Sequence, residues 1–182
     1  MEDAYMKRSV DPLVKAYIES MGAVLIEGPK WCGKTRTSKE FSKSALYIKD
    51  PNQIEALKLA AENGTLRFLE GDTPRLIDEW QDVPEIWNSV RFEVDRRGQN
   101  GQFILTGSSV PPNEPTRHSG AGRIGRIRMR PMSLAESGES DSTISLRGLF
   151  QKDYKVDGFS KLTVDSLALA ISRGGWPASI KT

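Results

Sequence analysis

A short apolar run at residues 23–27 leads directly into Gly28-Pro29-Lys30-Trp31-Cys32-Gly33-Lys34-Thr35, which fits the pattern G-x-x-x-x-G-K-[ST]. No other feature constrains the fold as tightly. The glycines let the backbone wrap closely around an anion, and successive N–H groups then point inward as a nest. A helix starting at the lysine adds the positive end of its dipole. The pattern therefore demands a buried strand before it and a helix after it, and the flanking sequence supplies both. Gly28, Pro29, Lys30, Trp31, Cys32, Gly33, Lys34, Thr35 and Arg36 are the candidate phosphate-side contacts. Lys34 is placed to reach the β and γ phosphates of a nucleotide, and the Thr35 hydroxyl to ligate Mg²⁺. Cys32 reads as a small residue that fits the loop rather than as a redox centre.

A second run, Leu76-Ile77-Asp78-Glu79, reads as a buried strand ending in two carboxylates. Beside a phosphate loop, an aspartate at a strand end holds the Mg²⁺ hydration shell. The adjacent glutamate is placed to polarise an attacking water. A switch or a small-molecule kinase needs the aspartate but not a fixed base at the next position.

The remaining punctuation gives alternating strands and helices. Asp11-Pro12 opens a helix, with Asp11 as its cap, and Leu13, Val14, Tyr17, Ile18 and Met21 follow at helical spacing up to Gly22. Asp50-Pro51 repeats the start signal for a face of Ile54, Leu57 and Ala61. Pro84 opens a helix through about Arg97, with Ile86, Trp87, Val90 and Val94 inward. Residues 102–106 and 124–129 read as strands, residues 110–122 as a proline-bearing loop, and Thr163 as the cap of a last helix. This alternation predicts an α/β fold, a three-layer phosphate-loop architecture on a mostly parallel sheet. Residues 1–22 read as an N-terminal helical segment, 23–150 as the core and 151–182 as a C-terminal helical extension.

Composition excludes several classes. No apolar stretch in the 182 residues approaches the roughly 18 needed to cross a membrane as a helix, so no membrane partner is expected. The start, MEDAYMKRS, carries no secretory signal. A single cysteine offers neither an internal disulfide nor a zinc cluster, which fits a reducing cytoplasm. The 26 basic and 24 acidic residues leave a net charge of +2, too little to mark a nucleic-acid binder. The distribution is less even. Between Lys58 and Lys152 every basic residue is arginine, and Arg117, Arg123, Arg126, Arg128 and Arg130 fall close together. His118, the single histidine, reads as a loop residue, Trp80 and Trp87 as packing residues, and Glu136 and Glu139 as solvated.

Taken in order, GPKWCGKT, RLIDEWQDVPEIWNSVR, FILTGSS and GAGRIGRIRMRPMSLAES resemble the bacterial and archaeal AAA+-like P-loop ATPases of uncharacterised role. The resemblance spans roughly residues 10–178. It implies ATP as the nucleotide, with Gly28, Gly33, Lys34 and Thr35 as Walker A and Asp78 and Glu79 as Walker B. It implies a sensor just beyond the strand, Ser108 first and Thr106 second. It places Arg123 and Arg126 where AAA+ proteins carry arginine fingers, which would act on the chain's own nucleotide or on that of a neighbour in a homo-oligomer. It also implies a second domain after the core, of which residues 151–182 would be the start.

The expectation is a Mg²⁺-dependent ATP-binding and ATP-hydrolysing domain that couples nucleotide state to conformational change, slow in isolation. Three readings stand beside it. One is a nucleotide-regulated nucleic-acid binder using residues 117–130, another a P-loop kinase for a small molecule, and the third an inert fragment.

Overall fold

In the computed structural model, which describes residues 4–108 and 120–180, five parallel strands form one sheet in the order β2-β3-β4-β1-β5. The elements run α1 (Asp11–Ser20), β1 (Ala23–Glu27), α2 (Lys34–Phe41), β2 (Ser44–Tyr47), α3 (Ile54–Glu62), β3 (Arg75–Asp78), α4 (Ile86–Arg97), β4 (Phe103–Gly107), β5 (Ile124–Arg128), α5 (Val164–Arg173) and α6 (Pro177–Ile180).

The inner strand β1 is apolar throughout its interior because both of its faces are covered. Ala23 and Leu25 join one core with Leu57 and Ala61 of α3 and Ile86, Trp87, Val90 and Val94 of α4. Val24 and Ile26 join another with Val14 of α1, Ile104 and Ile127, against which Phe41 of α2 packs. The result is helix, sheet, helix: the three-layer α/β architecture expected from the alternation. Trp80 and Trp87 pack as expected, both buried, with ring centroids 5.0 Å apart.

The order of strands positions the site. Strand β4 is inserted between the loop strand β1 and the acidic strand β3, pairing with both. Because all strands are parallel, the ends of β1, β3 and β4 open on the same edge, the crevice where such sheets bind ligands.

Two local readings are corrected. Asp11 is not the cap of α1 but its first residue, preceded by Val10. Its carboxylate instead reaches back to the Arg8 N–H at 2.9 Å and the Tyr5 hydroxyl at 2.6 Å, tying down the segment before the helix. Strand β2 has no counterpart in the sequence reading. It is a four-residue edge strand with one partner, β3, and only Leu46 within it is buried.

Helix α1 lies against β5 where Gly125 leaves room for the Tyr17 ring. A Cβ at Gly125 would sit 2.1 Å from Tyr17 Cδ1, so any larger residue must displace the helix. Overpacking of this kind costs about 1–3 kcal/mol. Gly125→Ala is therefore expected to lower the urea midpoint of unfolding, and Tyr17→Ala in the same chain to restore part of the loss. An unchanged midpoint in the single variant would show that the helix yields freely.

Candidate functional site

The loop between β1 and α2 takes its shape from backbone constraints at two glycines. Gly28 sits at φ 157°, where a Cβ would lie 2.2 Å from the Met129 carbonyl oxygen. Gly33 caps α2 at φ 104°, and a Cβ there would lie 3.0 Å from the Arg8 Nη1. The first intrahelical bond of α2 runs from Thr37 N–H to Gly33 O at 2.9 Å. The preceding amides of α2 thus have no acceptor within the helix, as at any helix N-terminus. Trp31 takes a left-handed conformation, φ 64°, with its side chain 82% exposed.

Lys34 is buried, and two of its three ammonium hydrogens go to the loop's own carbonyls, Gly28 O at 3.0 Å and Pro29 O at 2.9 Å. The charge is thereby held at the centre of the loop. The Thr35 hydroxyl donates to Asp78 Oδ1 at 2.8 Å across the gap between α2 and β3. Thr106, fully buried on β4, donates to the same Oδ1 at 2.6 Å and accepts the Glu79 N–H at 3.1 Å. Glu79 itself takes a left-handed backbone, φ 59° and ψ 45°, a conformation that costs energy in a residue with a side chain and recurs at functional sites. Its carboxylate accepts from Gln81 and lies 3.4 Å from the Lys49 ammonium. Thr35, Asp78, Thr106 and Glu79 are thus one connected group.

A cleft of about 540 Å³ runs along this group, bordered by Trp31, Lys34, Thr35, Lys49, Glu79 and Pro177. The far wall comes from the C-terminal segment. There the Trp176 indole N–H donates to Lys30 O at 3.1 Å, and Met132 N–H donates to Gly175 O at 2.6 Å.

Arg36 borders the same cleft, with its guanidinium over the Tyr5 ring at 5.0 Å and paired with Glu40 at 3.2 Å. The remaining sequence candidates fall elsewhere. Ser108 lies on the β5 side of the loop, in a hollow with Glu27, Pro29 and Arg128, and it is Thr106 that contacts Asp78. Arg123 stands at the opposite end of the sheet, its carbonyl accepting from Ala23 N–H, and it pairs with Asp95 at 2.6 Å. That is roughly 13 Å along β1 from the loop at 3.3 Å per residue. Arg126 lies over the Trp87 ring at 5.6 Å, and Arg128 faces Glu27 at 3.8 Å. Arg117 and His118 lie outside the described residues.

Burial pushes the Cys32 thiol up, against the opposing pull of Lys34 and Arg8, so the thiol is not an activated one. Glu136 is the clearest correction. Instead of being solvated, its side chain is 10% exposed and is paired with Arg8, 5% exposed, at 3.1 Å. Sequence reasoning also missed Arg8, Lys49, Thr106 as a link between carboxylates, and Trp176.

Among the described residues no cluster of three or more His, Cys, Asp or Glu side chains could cage a metal, and no helix is long and apolar enough to cross a membrane. A hydroxyl beside a single carboxylate is what Mg²⁺ requires when phosphates and water complete its shell. The residues present fit that ion.

A family model described as an AAA domain matches residues 20–138. The chain belongs to the AAA domain family. Membership, together with the parallel sheet, makes the fold that of AAA+-like P-loop proteins and implies nucleotide binding. Uncharacterized proteins Rv2008c of Mycobacterium tuberculosis and Mb2031c of Mycobacterium bovis are each 31% identical over 120 residues, which is 64% of this chain and 27% of theirs. The AAA chain thus spans about a quarter of the length of these relatives. The structure of C. elegans PCH-2 is similar over 83% of this chain and 52% of its own, at 16% identity and a TM-score of 0.39.

Burial opposes ionisation of Glu136, but the Ser133 and Ser9 N–H groups and the Arg8 charge outweigh it and hold the carboxyl at about 2, below its ordinary 4.5. A carboxyl depressed in the folded state adds stability above its unfolded pKa and loses it as pH falls through the folded one. The stability gap between the wild type and Glu136→Gln should therefore be full at pH 7 and shrink as pH falls from about 4.5 towards 2. Urea titrations at pH 7 and pH 3 check this, and a gap independent of pH would contradict it.

Proposed function

We propose that this AAA domain binds ATP with Mg²⁺ and hydrolyses it slowly in isolation, using the change of nucleotide to alter the contacts around its loop. The observation that carries the reading is the connected group of Thr35, Asp78, Thr106 and Glu79 beside a loop that holds Lys34 at its centre. The choice of ATP rests on the family resemblance in the Walker A and Walker B residues. A single buried cysteine is in keeping with a reducing cytoplasm.

Each residue has a part that follows from its contacts. Lys34 and the loop amides bind the β and γ phosphates. Thr35 has one hydroxyl proton, committed to Asp78, and so turns oxygen lone pairs to a hard cation. The bound ion would neutralise phosphate charge during the transfer. Glu79 takes the proton of the attacking water, and its strained backbone and its contacts with Gln81 and Lys49 fix where the carboxylate stands. Thr106 orients both carboxylate residues and is a positioning residue. Ser108, on the other side of the loop, completes the environment of the terminal phosphate.

Arg123, at the far end of β5, serves a second copy of the chain, since it stands too far along the sheet to reach its own cleft. Arg126, over Trp87, supports that edge. A nucleic-acid surface has less in its favour, because Arg126 and Arg128 are taken up by Trp87 and Glu27 within the chain.

Three variants test the scheme together. Lys34→Ala should retain the fold by circular dichroism and lose most ATP affinity in calorimetry. Glu79→Gln should bind ATP·Mg²⁺ normally and lose turnover by about 10²–10⁴-fold, the usual worth of general-base catalysis. Mixing inactive Lys34→Ala with Arg123→Ala should regain hydrolysis, because one supplies the arginine and the other the site. Wild-type affinity in Lys34→Ala would sink the assignment of the loop, wild-type turnover in Glu79→Gln would move the base elsewhere, and a silent mixture would remove Arg123 from the mechanism.

A further inference from the structure

The segment before α1 places a guanidinium underneath the phosphate loop. Arg8 is buried, and its nitrogens are spent on three different parts of the chain. Nη1 donates to the Cys32 carbonyl of the loop at 2.8 Å, Nη2 to the Arg130 carbonyl after β5 at 2.8 Å, and Nε to Glu136 Oε1 at 3.1 Å. Its own position is fixed in turn. Asp11 accepts the Arg8 N–H at 2.9 Å, and Glu136 accepts the N–H groups of Ser9 at 2.6 Å and Ser133 at 2.7 Å. The planar fork of an arginine cannot bend to satisfy these partners separately, so it sets their relative positions.

One of these bonds bears on the site. A trans peptide is planar, with its C=O and the following N–H on opposite sides. Arg8 borders a hollow behind the loop, with Val10, Pro131 and Glu136, and not the cleft that holds Lys34 and Thr35. By holding the Cys32 carbonyl on that side, the guanidinium turns the Gly33 N–H to the other side, toward the cleft. It also fills the space a Gly33 side chain would need, since a Cβ there would lie 3.0 Å from Nη1. A nest of amides attracts an anion only if its N–H groups converge, and a peptide free to flip would present a carbonyl in place of a donor.

We propose that Arg8 is a positioning residue for nucleotide binding, a brace that keeps the Cys32–Gly33 peptide in the anion-binding orientation from behind the loop. The inference rests on the nucleotide-binding reading above and adds to it a residue twenty positions before the motif. A purely structural role would be different: Arg8 would fasten the N-terminal segment and leave the loop unaffected.

Calorimetry of ATP·Mg²⁺ with the wild type, Lys34→Ala, Arg8→Lys and Arg8→Gln separates the two roles. Lysine keeps the charge but lacks the fork, and glutamine keeps one donor group without the charge. The brace predicts a dissociation constant weakened by about tenfold in both Arg8 variants with stoichiometry near one, the scale on which residues that orient a binding group act. In turnover assays KM for ATP should rise while kcat at saturation stays near the wild-type value. If either variant is partly unfolded, an irreversibly lost fraction lowers the stoichiometry. A reversibly unfolded one weakens the apparent dissociation constant by the folded fraction, which circular dichroism without nucleotide measures and corrects. An unchanged dissociation constant, at full or reduced stoichiometry, would overturn the proposal. A wild type that binds while Lys34→Ala does not, with both Arg8 variants at wild-type affinity, would overturn the brace alone. A wild type that binds no ATP would overturn the brace and the reading beneath it.

Discussion

The carboxylate oxygen Asp78 Oδ1, accepting one hydroxyl from Thr35 and another from Thr106, joins three elements that are distant in sequence. Thr35 lies in the first turn of α2, Asp78 ends β3 and Thr106 lies in β4. These contacts exist only because β4 is inserted between β1 and β3, so that the ends of all three strands meet at one edge. The sheet order is in this sense the precondition of the site, and the two-faced apolar packing of β1 and β4 is what secures that order. Charge-assisted hydrogen bonds of this kind are short and directional, so in the proposed reading the triad would set where a cation beside Thr35 sits.

Around that centre the phosphate loop is held from outside by both ends of the described chain. Arg8 grips the Cys32 carbonyl from the N-terminal side, and Trp176 grips the Lys30 carbonyl from the C-terminal side. A loop whose backbone is fixed by side chains from two separate segments is also a loop whose strain passes to those segments. Such contacts supply a physical route by which a change of bound nucleotide could be felt outside the cleft, which is the coupling proposed for this domain.

Much of this was legible in the sequence, and what escaped has a common cause. The loop, the acidic strand and the helices starting at residues 11, 54, 86 and 164 follow from local pattern, because glycines, prolines and apolar spacing act on neighbouring residues. Strand β2 escaped because four residues on an edge carry little periodicity, and with it went Lys49, which reaches Glu79 only because β2 pairs with β3. Glu136 reads as solvated because it sits in a polar loop, and its partner Arg8 is 128 residues away in sequence. Thr106 is the second choice behind Ser108 because the resemblance places the sensor just beyond the strand. The register of β4 against β1 and β3 decides which of the two points at Asp78, and register is set by tertiary packing.

The central claim is that Asp78 organises a divalent cation beside the loop, with Thr35 as its hydroxyl partner. Calorimetric titration of ATP into the wild type and Asp78→Asn, each with and without Mg²⁺, addresses it most directly. The account predicts that Mg²⁺ strengthens binding to the wild type and has little effect on Asp78→Asn, whose amide keeps the shape but not the charge. Equal strengthening by Mg²⁺ in both chains would contradict it.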